Sequence, residues 1–267
     1  MNSTFISKAK MIYDKVITLT DNAIIALTSN QYRVICEYND NIVMSENFDG
    51  YSIKNYEYEN TVDYGMIIVQ VGLKRGIISA ITAETIVPIE NIKLFPCSDN
   101  VILGQSEKLM CVYNSAGSEI IKSSKYAFIA LYTSNKGERI VVAVSQSNQY
   151  VIGMSGNILL NNRVIDFRIY NIFGDYIVRT HLPYYSSRQS DYIGDSKYDI
   201  YNFDGEAVYE LENGYLPSLN KKNPCIVELK TGAIELGAYR YPTYCLGDMS
   251  KYIYKEISYG GRVSRHR

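Results

Sequence analysis

The sequence predicts an all-β fold, a β-propeller-like array of about six antiparallel blades, with another closed β-repeat or a sandwich as the alternative. Three observations predict it. A strand-turn-strand unit recurs six times, and its turns carry Gly, Asn or Asp where a tight hairpin demands positive φ. Several hairpins are preceded by strands that are apolar along nearly their whole length, the pattern of strands covered on both faces.

At the start of the chain, helical periodicity is confined to residues 4–13, and a strand is expected over 15–19, placed to pair with the last blade and close a ring. The repeated hairpins are VICEYNDNIVM (34–44), IISAITAETIV (77–87), CVYNSAGSEII (111–121), VIGMSGNILL (151–160), DIYNFDGEAVY (199–209) and IVELKTGAIEL (226–236). Their starts lie 43, 34, 40, 48 and 27 residues apart, near the length of a four-stranded blade. Gly117, Gly156, Gly205 and Gly232 occupy the turn positions that call for positive φ. Further strands precede four of the copies, at AIIALT (23–28), MIIVQV (66–71), NVIL (100–103) and RIVVAV (139–144), so each unit has at least three strands.

Residues 64–89, YGMIIVQVGLKRGIISAITAETIVPI, resemble the WG-type β-repeats of bacterial proteins, in which a strand leads to a Lys-Trp-Gly-like turn, a strand, a hairpin and a Val-Ile-Pro exit. Lys74, Arg75 and Gly76 stand where that family has its Lys-Trp-Gly, with Arg75 in place of the Trp. This resemblance implies repeated β-hairpins that serve as interaction modules and implies no activity.

A chain of 267 residues with 46% hydrophobic and 21% charged side chains can bury a sizeable core as one β-repeat domain over 1–267. Its 27 basic and 28 acidic side chains leave a net charge of -1, which excludes a global attraction to nucleic acid or anionic membrane. The 26 Tyr and 7 Phe, with no Trp, mean that most large rings carry a hydroxyl in need of water or a partner. The same bias follows from AT-rich codons and points to a low-GC bacterium or one of its phages. Five scattered cysteines without a CxxC pair fit neither a disulfide framework nor a zinc site, so no metal and no cofactor is expected. No apolar leader opens the chain and no run approaches the ~18 residues of a membrane span. The expected location is the cytoplasm of a bacterial or phage-infected cell, or a virion.

No catalytic constellation stands out, so the chain is expected not to be an enzyme. The two histidines are His181, in a loop, and His266, in the tail, and HExxH, a calcium loop and a phosphate-cradling Gly-rich loop are all missing. The contrasting class is a carbohydrate-binding or carbohydrate-cleaving propeller, whose paired carboxylates would come from Asp166, Asp175, Asp191, Asp195 and Glu206. The tetrapeptide Asn-Phe-Asp-Gly occurs at 47–50 and 202–205 and reads as a repeated turn with its Phe tucked inward.

Binding is expected on two surfaces. Residues 181–199 form an insertion that lengthens the repeat, read as a loop in which Tyr184, Tyr185, Arg188 and Tyr192 have interface composition. Residues 238–267 interleave tyrosines with basic residues, with Tyr239, Arg240 and Tyr241 at their start and Arg262, Arg265 and Arg267 in the basic tail 260–267. The partners expected are other protein subunits of an assembly; nucleic acid is expected only through that tail, and membrane not at all. The function these features predict is a non-enzymatic interaction or structural subunit, with a phage virion as one setting.

Overall fold

Four four-stranded antiparallel sheets and one five-stranded antiparallel sheet carry the architecture, most neighbouring strands being joined by short turns. The computed structural model describes residues 3–53, 61–97, 100–146, 148–163, 170–181, 184–186, 191–193, 197–211, 225–229 and 232–247. The chain divides into two compact units, Met1–Ser123 and Ser124–Arg267.

In the first unit, α1 (Ser3–Ile12) leads into sheet 1, formed by β1 (Lys15–Thr20), β2 (Ala23–Thr28), β3 (Gln31–Tyr38) and β4 (Asn41–Met44). Sheet 2 holds β5 (Gly50–Ser52), β6 (Met66–Val71), β7 (Lys74–Ser79) and β8 (Thr85–Asn91). Sheet 3 holds β9 (Lys93–Cys97), β10 (Val101–Gln105), β11 (Met110–Asn114) and β12 (Glu119–Ser123). In the second unit, sheet 4 holds β13 (Phe128–Thr133), β14 (Arg139–Val144), β15 (Asn148–Gly153) and β16 (Ile158–Arg163). The next two strands, β17 (Tyr170–Phe173) and β18 (Tyr176–His181), open sheet 5. A separate hairpin of β19 (Tyr184–Ser186) and β20 (Asp191–Ile193) follows, and β21 (Lys197–Tyr201) and β22 (Ala207–Leu211) complete the sheet. The chain continues through the hairpin β23 (Cys225–Leu229) and β24 (Gly232–Gly237) to β25 (Tyr244–Gly247), which joins sheet 4 beside β13. All six repeated hairpins are present, and the fold is all-β and propeller-like in its repeat of four-stranded meanders. Among the described residues, no helix is long and apolar enough to cross a membrane.

Turn chemistry explains why these strands reverse where they do. Ser29 and Asn30, and again Asn39 and Asp40, take positive φ in two-residue turns of the primed type whose twist suits a hairpin. A second kind of turn recurs after β11, β15 and β21, where Gly117, Gly156 and Gly205 sit at φ 81, 85 and 82 and each is followed by a register shift in the ladder. This is a type I turn closed by a left-handed glycine. In two of these turns an Asn holds the loop: Asn114 Oδ1 accepts from the N–H of Ala116 and Ser118, and Asn202 Oδ1 accepts from Asp204 and Glu206.

Period-two alternation builds the core of the first unit. Ala23, Ile25, Val34 and Cys36 of sheet 1 pack on Phe48, Ile67, Val69 and Ile78, while Met66, Ile77 and Val87 on the other face of sheet 2 pack on Leu94, Ile102, Cys111 and Tyr113 of sheet 3. Each Val, Ile, Leu, Met and Phe among them contributes about 1.5–3 kcal/mol by leaving water. The remaining face of sheet 1 takes α1, whose Ala9, Phe5 and Ile6 lie on Ile24, Ala26 and Ile35. In the second unit, Ile140, Val142 and Val151 of sheet 4 pack on Tyr170, Ile172, Ile177 and Tyr201 of sheet 5.

Four expectations need correction. The strand expected to close a ring, β1, pairs with β2 instead, because the short turn at Asp21 and Asn22 folds it straight back. Lys74, Arg75 and Gly76 are not a turn but the first residues of β7; the reversal falls earlier, at Gly72 and Leu73, where Gly72 takes φ 58. Residues 181–199 are not simply a loop, since β19 and β20 pair inside them. Of the two Asn-Phe-Asp-Gly copies, both bury the Phe, but only 202–205 is a turn; at 47–50 the segment carries the chain from sheet 1 to β5 and Phe48 bridges Tyr32.

Candidate functional site

Residues 238–247 form a strap that ties two sheets of the second unit together. The N–H of Gly174 donates to Ala238 O at 2.9 Å, the N–H of Arg240 to Ile172 O at 2.7 Å and the N–H of Thr243 to Leu131 O at 2.8 Å. The chain then enters β25, registered with Leu131 opposite Tyr244 and Phe128 opposite Gly247. The close passage requires a glycine: a Cβ on Gly174, which sits at φ 52, would lie 2.5 Å from Leu236 O.

On this strap stands a ladder of aromatic rings. Phe173, 4% exposed, meets Tyr239 edge-on at 5.5 Å and 76°, and Tyr239 meets Tyr241 at 5.1 Å and 85°. Tyr241 is 58% exposed. Edge-to-face geometry aligns the positive ring edge with the negative face and fixes each ring by the one beneath. Burial pushes the hydroxyl of neighbouring Tyr132 above the usual tyrosine range, and Tyr239 and Cys245 add to the effect. The result is an aromatic stack with a dry base and a wet tip.

Of the residues expected to bind, this arrangement brings together Tyr239, Arg240 and Tyr241, with the Arg240 backbone bonded to β17. Tyr184 and Tyr185 lie in β19 and Tyr192 in β20, with Tyr185 registered opposite Tyr192 and Tyr184 opposite Ile193. Arg188, Arg262, Arg265 and Arg267 lie outside the described residues. Of the carboxylates considered for glycan chemistry, Asp175 accepts the N–H of Lys136 at 3.2 Å and Glu206 accepts from Asn202 Nδ2 at 3.1 Å, both as turn fasteners. Asp191 lies in β20; Asp166 and Asp195, like His266, are outside the described residues, and His181 ends β18 opposite Lys197.

One polar cluster had no counterpart among the sequence candidates. Tyr170, Arg179 and Asp199 are successive cross-strand partners over β17, β18 and β21. Arg179 Nε donates to Asp199 Oδ2 at 2.7 Å, its Nη2 contacts the same oxygen, and Tyr201 donates to that oxygen at 3.3 Å. The guanidinium lies 5.6 Å from the Tyr201 ring centroid. Burial pushes the Tyr170 hydroxyl up to about 12, with Arg179 opposing the shift. The signal in the sequence was a lone Arg in YIVRTH and a lone carboxylate, Asp199, in KYDIY, each set among tyrosines and aliphatic residues.

No family model matches the sequence, and no curated protein matches it. Among solved structures, the chain is similar to Sqt1 of Saccharomyces cerevisiae, at 10% identity and TM-score 0.32, covering 84% of this chain and 71% of that one. It is also similar to the Pan2 WD40 domain of Neurospora crassa, at 10% identity and TM-score 0.28, covering 83% and 75%. The fold rests on the sheet order and register described above.

Proposed function

We propose that the chain is a non-enzymatic module that binds other proteins and serves as a subunit of a larger assembly. The observation that supports this most is the Phe173–Tyr239–Tyr241 ladder, a fixed aromatic surface presented to solvent from a strap with hydrogen bonds to two sheets. Rigid tyrosines lose little side-chain entropy on contact and offer both an apolar face and a hydroxyl, which is why they concentrate binding energy at interfaces. The hairpin β19–β20, whose sequence carries Tyr184, Tyr185 and Tyr192, is the second region assigned to partner contact, and a virion is one assembly in which such a subunit would serve.

Affinity purification of the tagged chain from its native source, with mass spectrometry of co-eluting proteins, tests this. One or a few stoichiometric partners are expected, and their recovery should fall in a Tyr241→Ala variant or on deletion of 184–194. A clean monomer from the native source, or recovery unchanged in both variants, overturns the assignment of these surfaces.

A further inference from the structure

The last strand of sheet 1, β4, has no sheet neighbour on its outer side among the described residues. The turn before it fixes which backbone groups face that way. Asn39 and Asp40 make a two-residue turn, so Tyr38 and Asn41 are its closing hydrogen-bonded pair, and beyond the strand the N–H of Ser45 donates to Val34 O at 2.9 Å. Hydrogen-bonded and non-bonded pairs alternate along an antiparallel ladder. The backbone groups of Asn41, Val43 and Ser45 therefore face β3, while the N–H and C=O of Ile42 and Met44 point outward.

The side chains of the same two residues are bare. Ile42 and Met44 pair with Glu37 and Ile35, which puts them on the face of sheet 1 that α1 covers, but α1 lies on Ile24, Ala26 and Ile35 and leaves them 53% and 52% exposed. Tyr13, just past the exposed Met11 and Ile12 of α1, donates its hydroxyl to Met44 Sδ at 3.9 Å. Arg33, held by Asn47 Oδ1 at 2.7 Å, reaches the same sulfur at 3.8 Å. Proteins blunt such an edge with charge or proline. The fourth strands of the other sheets follow that rule: β8 carries Pro88 and Glu90, β12 Glu119 and Lys122, β16 Arg163 and β22 Glu210. β4 reads Asn-Ile-Val-Met and carries neither. Exposed carboxylates flank it instead, Asp40 before and Glu46 after, both outside the ion pairs among the described residues, while Arg33 and Glu37 on β3 offset one another in charge.

We propose that β4 takes up an extended segment of a partner protein as an added strand of sheet 1, a segment with apolar side chains at alternate positions and Lys or Arg at its ends. The outward N–H and C=O groups of Ile42 and Met44 supply the ladder bonds, their exposed side chains meet the apolar positions, and Asp40 and Glu46 receive the basic ends. A second copy of this chain fits less well. The antiparallel register that sets Ile42 against Met44 of another copy also sets Asp40 against its Glu46, like charge on like charge. The site rests on the reading of the chain as a protein-binding module but not on the Tyr239–Tyr241 surface.

The test is a titration of the full isotope-labelled chain with the capped peptide Ac-Lys-Thr-Val-Thr-Val-Thr-Lys-NH2, whose Val side chains fall opposite Ile42 and Met44 when its Lys fall opposite Asp40 and Glu46. Saturable amide shifts are expected at Ile42 and Met44, with roughly fivefold weaker binding of the counterpart Ac-Glu-Thr-Val-Thr-Val-Thr-Glu-NH2. Glu46→Lys, at an exposed position, leaves one attractive and one repulsive end for either peptide and should make the two bind equally, with the unchanged amide spectrum elsewhere as the folding control. Ile42→Pro removes an outward N–H that β3 does not use and should abolish binding of both. Absence of saturable shifts at Ile42 and Met44 overturns the proposal, as does an equal response of the natural chain to the glutamate peptide. Undiminished binding by Ile42→Pro does the same. Dilution-dependent shifts at these amides in the free chain, with a dimer in analytical ultracentrifugation, overturn it in favour of self-pairing. None of these outcomes alters partner recovery through Tyr241, so the two surfaces fail or stand separately.

Discussion

Arg179 and Asp199 face each other across β18 and β21, with Nε 2.7 Å from Oδ2 and side chains only 26% and 16% exposed. Taking either charge away leaves the other half-buried and uncompensated, whereas removing both leaves neither. Asp199→Leu is therefore expected to cost about 2–4 kcal/mol in urea unfolding. The double variant Arg179→Met with Asp199→Leu should recover most of that loss.

Gly117 and Gly137 provide a controlled pair. Their φ values are 81 and 83, yet a Cβ on Gly117 would lie 1.9 Å from Ile86 O while one on Gly137 would meet nothing within 4 Å. Gly137→Ala should cost about 1 kcal/mol from backbone conformation alone. Gly117→Ala should cost about 3 kcal/mol or more, because β8 must also move. Urea midpoints of the two variants check the difference.

The aromatic ladder separates stability from recognition. Tyr239→Ala removes the ring that Phe173 and Tyr241 both touch and is expected to cost about 2 kcal/mol. Tyr241→Ala should leave thermal stability within about 0.5 kcal/mol and lower only partner recovery. Calorimetry run beside the pull-down distinguishes the two.

Alkaline pH should destabilise the first unit through Cys36. Burial pushes this thiol up to about 11 from its usual 9.0, with the Ala83 backbone opposing. Below pH 9 both folded and unfolded chains keep the proton. Between pH 9 and 11 the unfolded chain releases it while the folded chain holds it, so stability falls with rising pH across that window. Thermal midpoints from pH 8 to 11 should decline less steeply in Cys36→Ala than in the natural chain.

Much of this was legible because hairpins write themselves locally. Strands such as AIIALT, MIIVQV and RIVVAV coincide with β2, β6 and β14, since an apolar run bounded by turn residues has few other folds open to it. Less visible were β5, only three residues long, and β9, whose Pro96 is a poor strand former tolerated at a sheet edge. The strap could not be read at all: nothing in YRYPTYCLG says that Thr243 will bond Leu131, because that contact depends on where distant sheets end. Tyr239 and Tyr241 were found as candidates by composition, while the ladder that orders them depends on Phe173, which sequence proximity does not reveal.

The pairing of β25 with β13 also sets an order of events during synthesis. Each sheet of the first unit is complete once its own four consecutive strands have emerged from the ribosome. Sheet 4 is different: Leu131 waits for Tyr244, more than a hundred residues later, before its outer ladder can form. Until then β13 is an open edge on a nascent chain, exposed to neighbours for as long as translation of the second unit lasts. A stop codon within that stretch would release a polypeptide whose first unit is finished and whose second presents a bare template for aggregation.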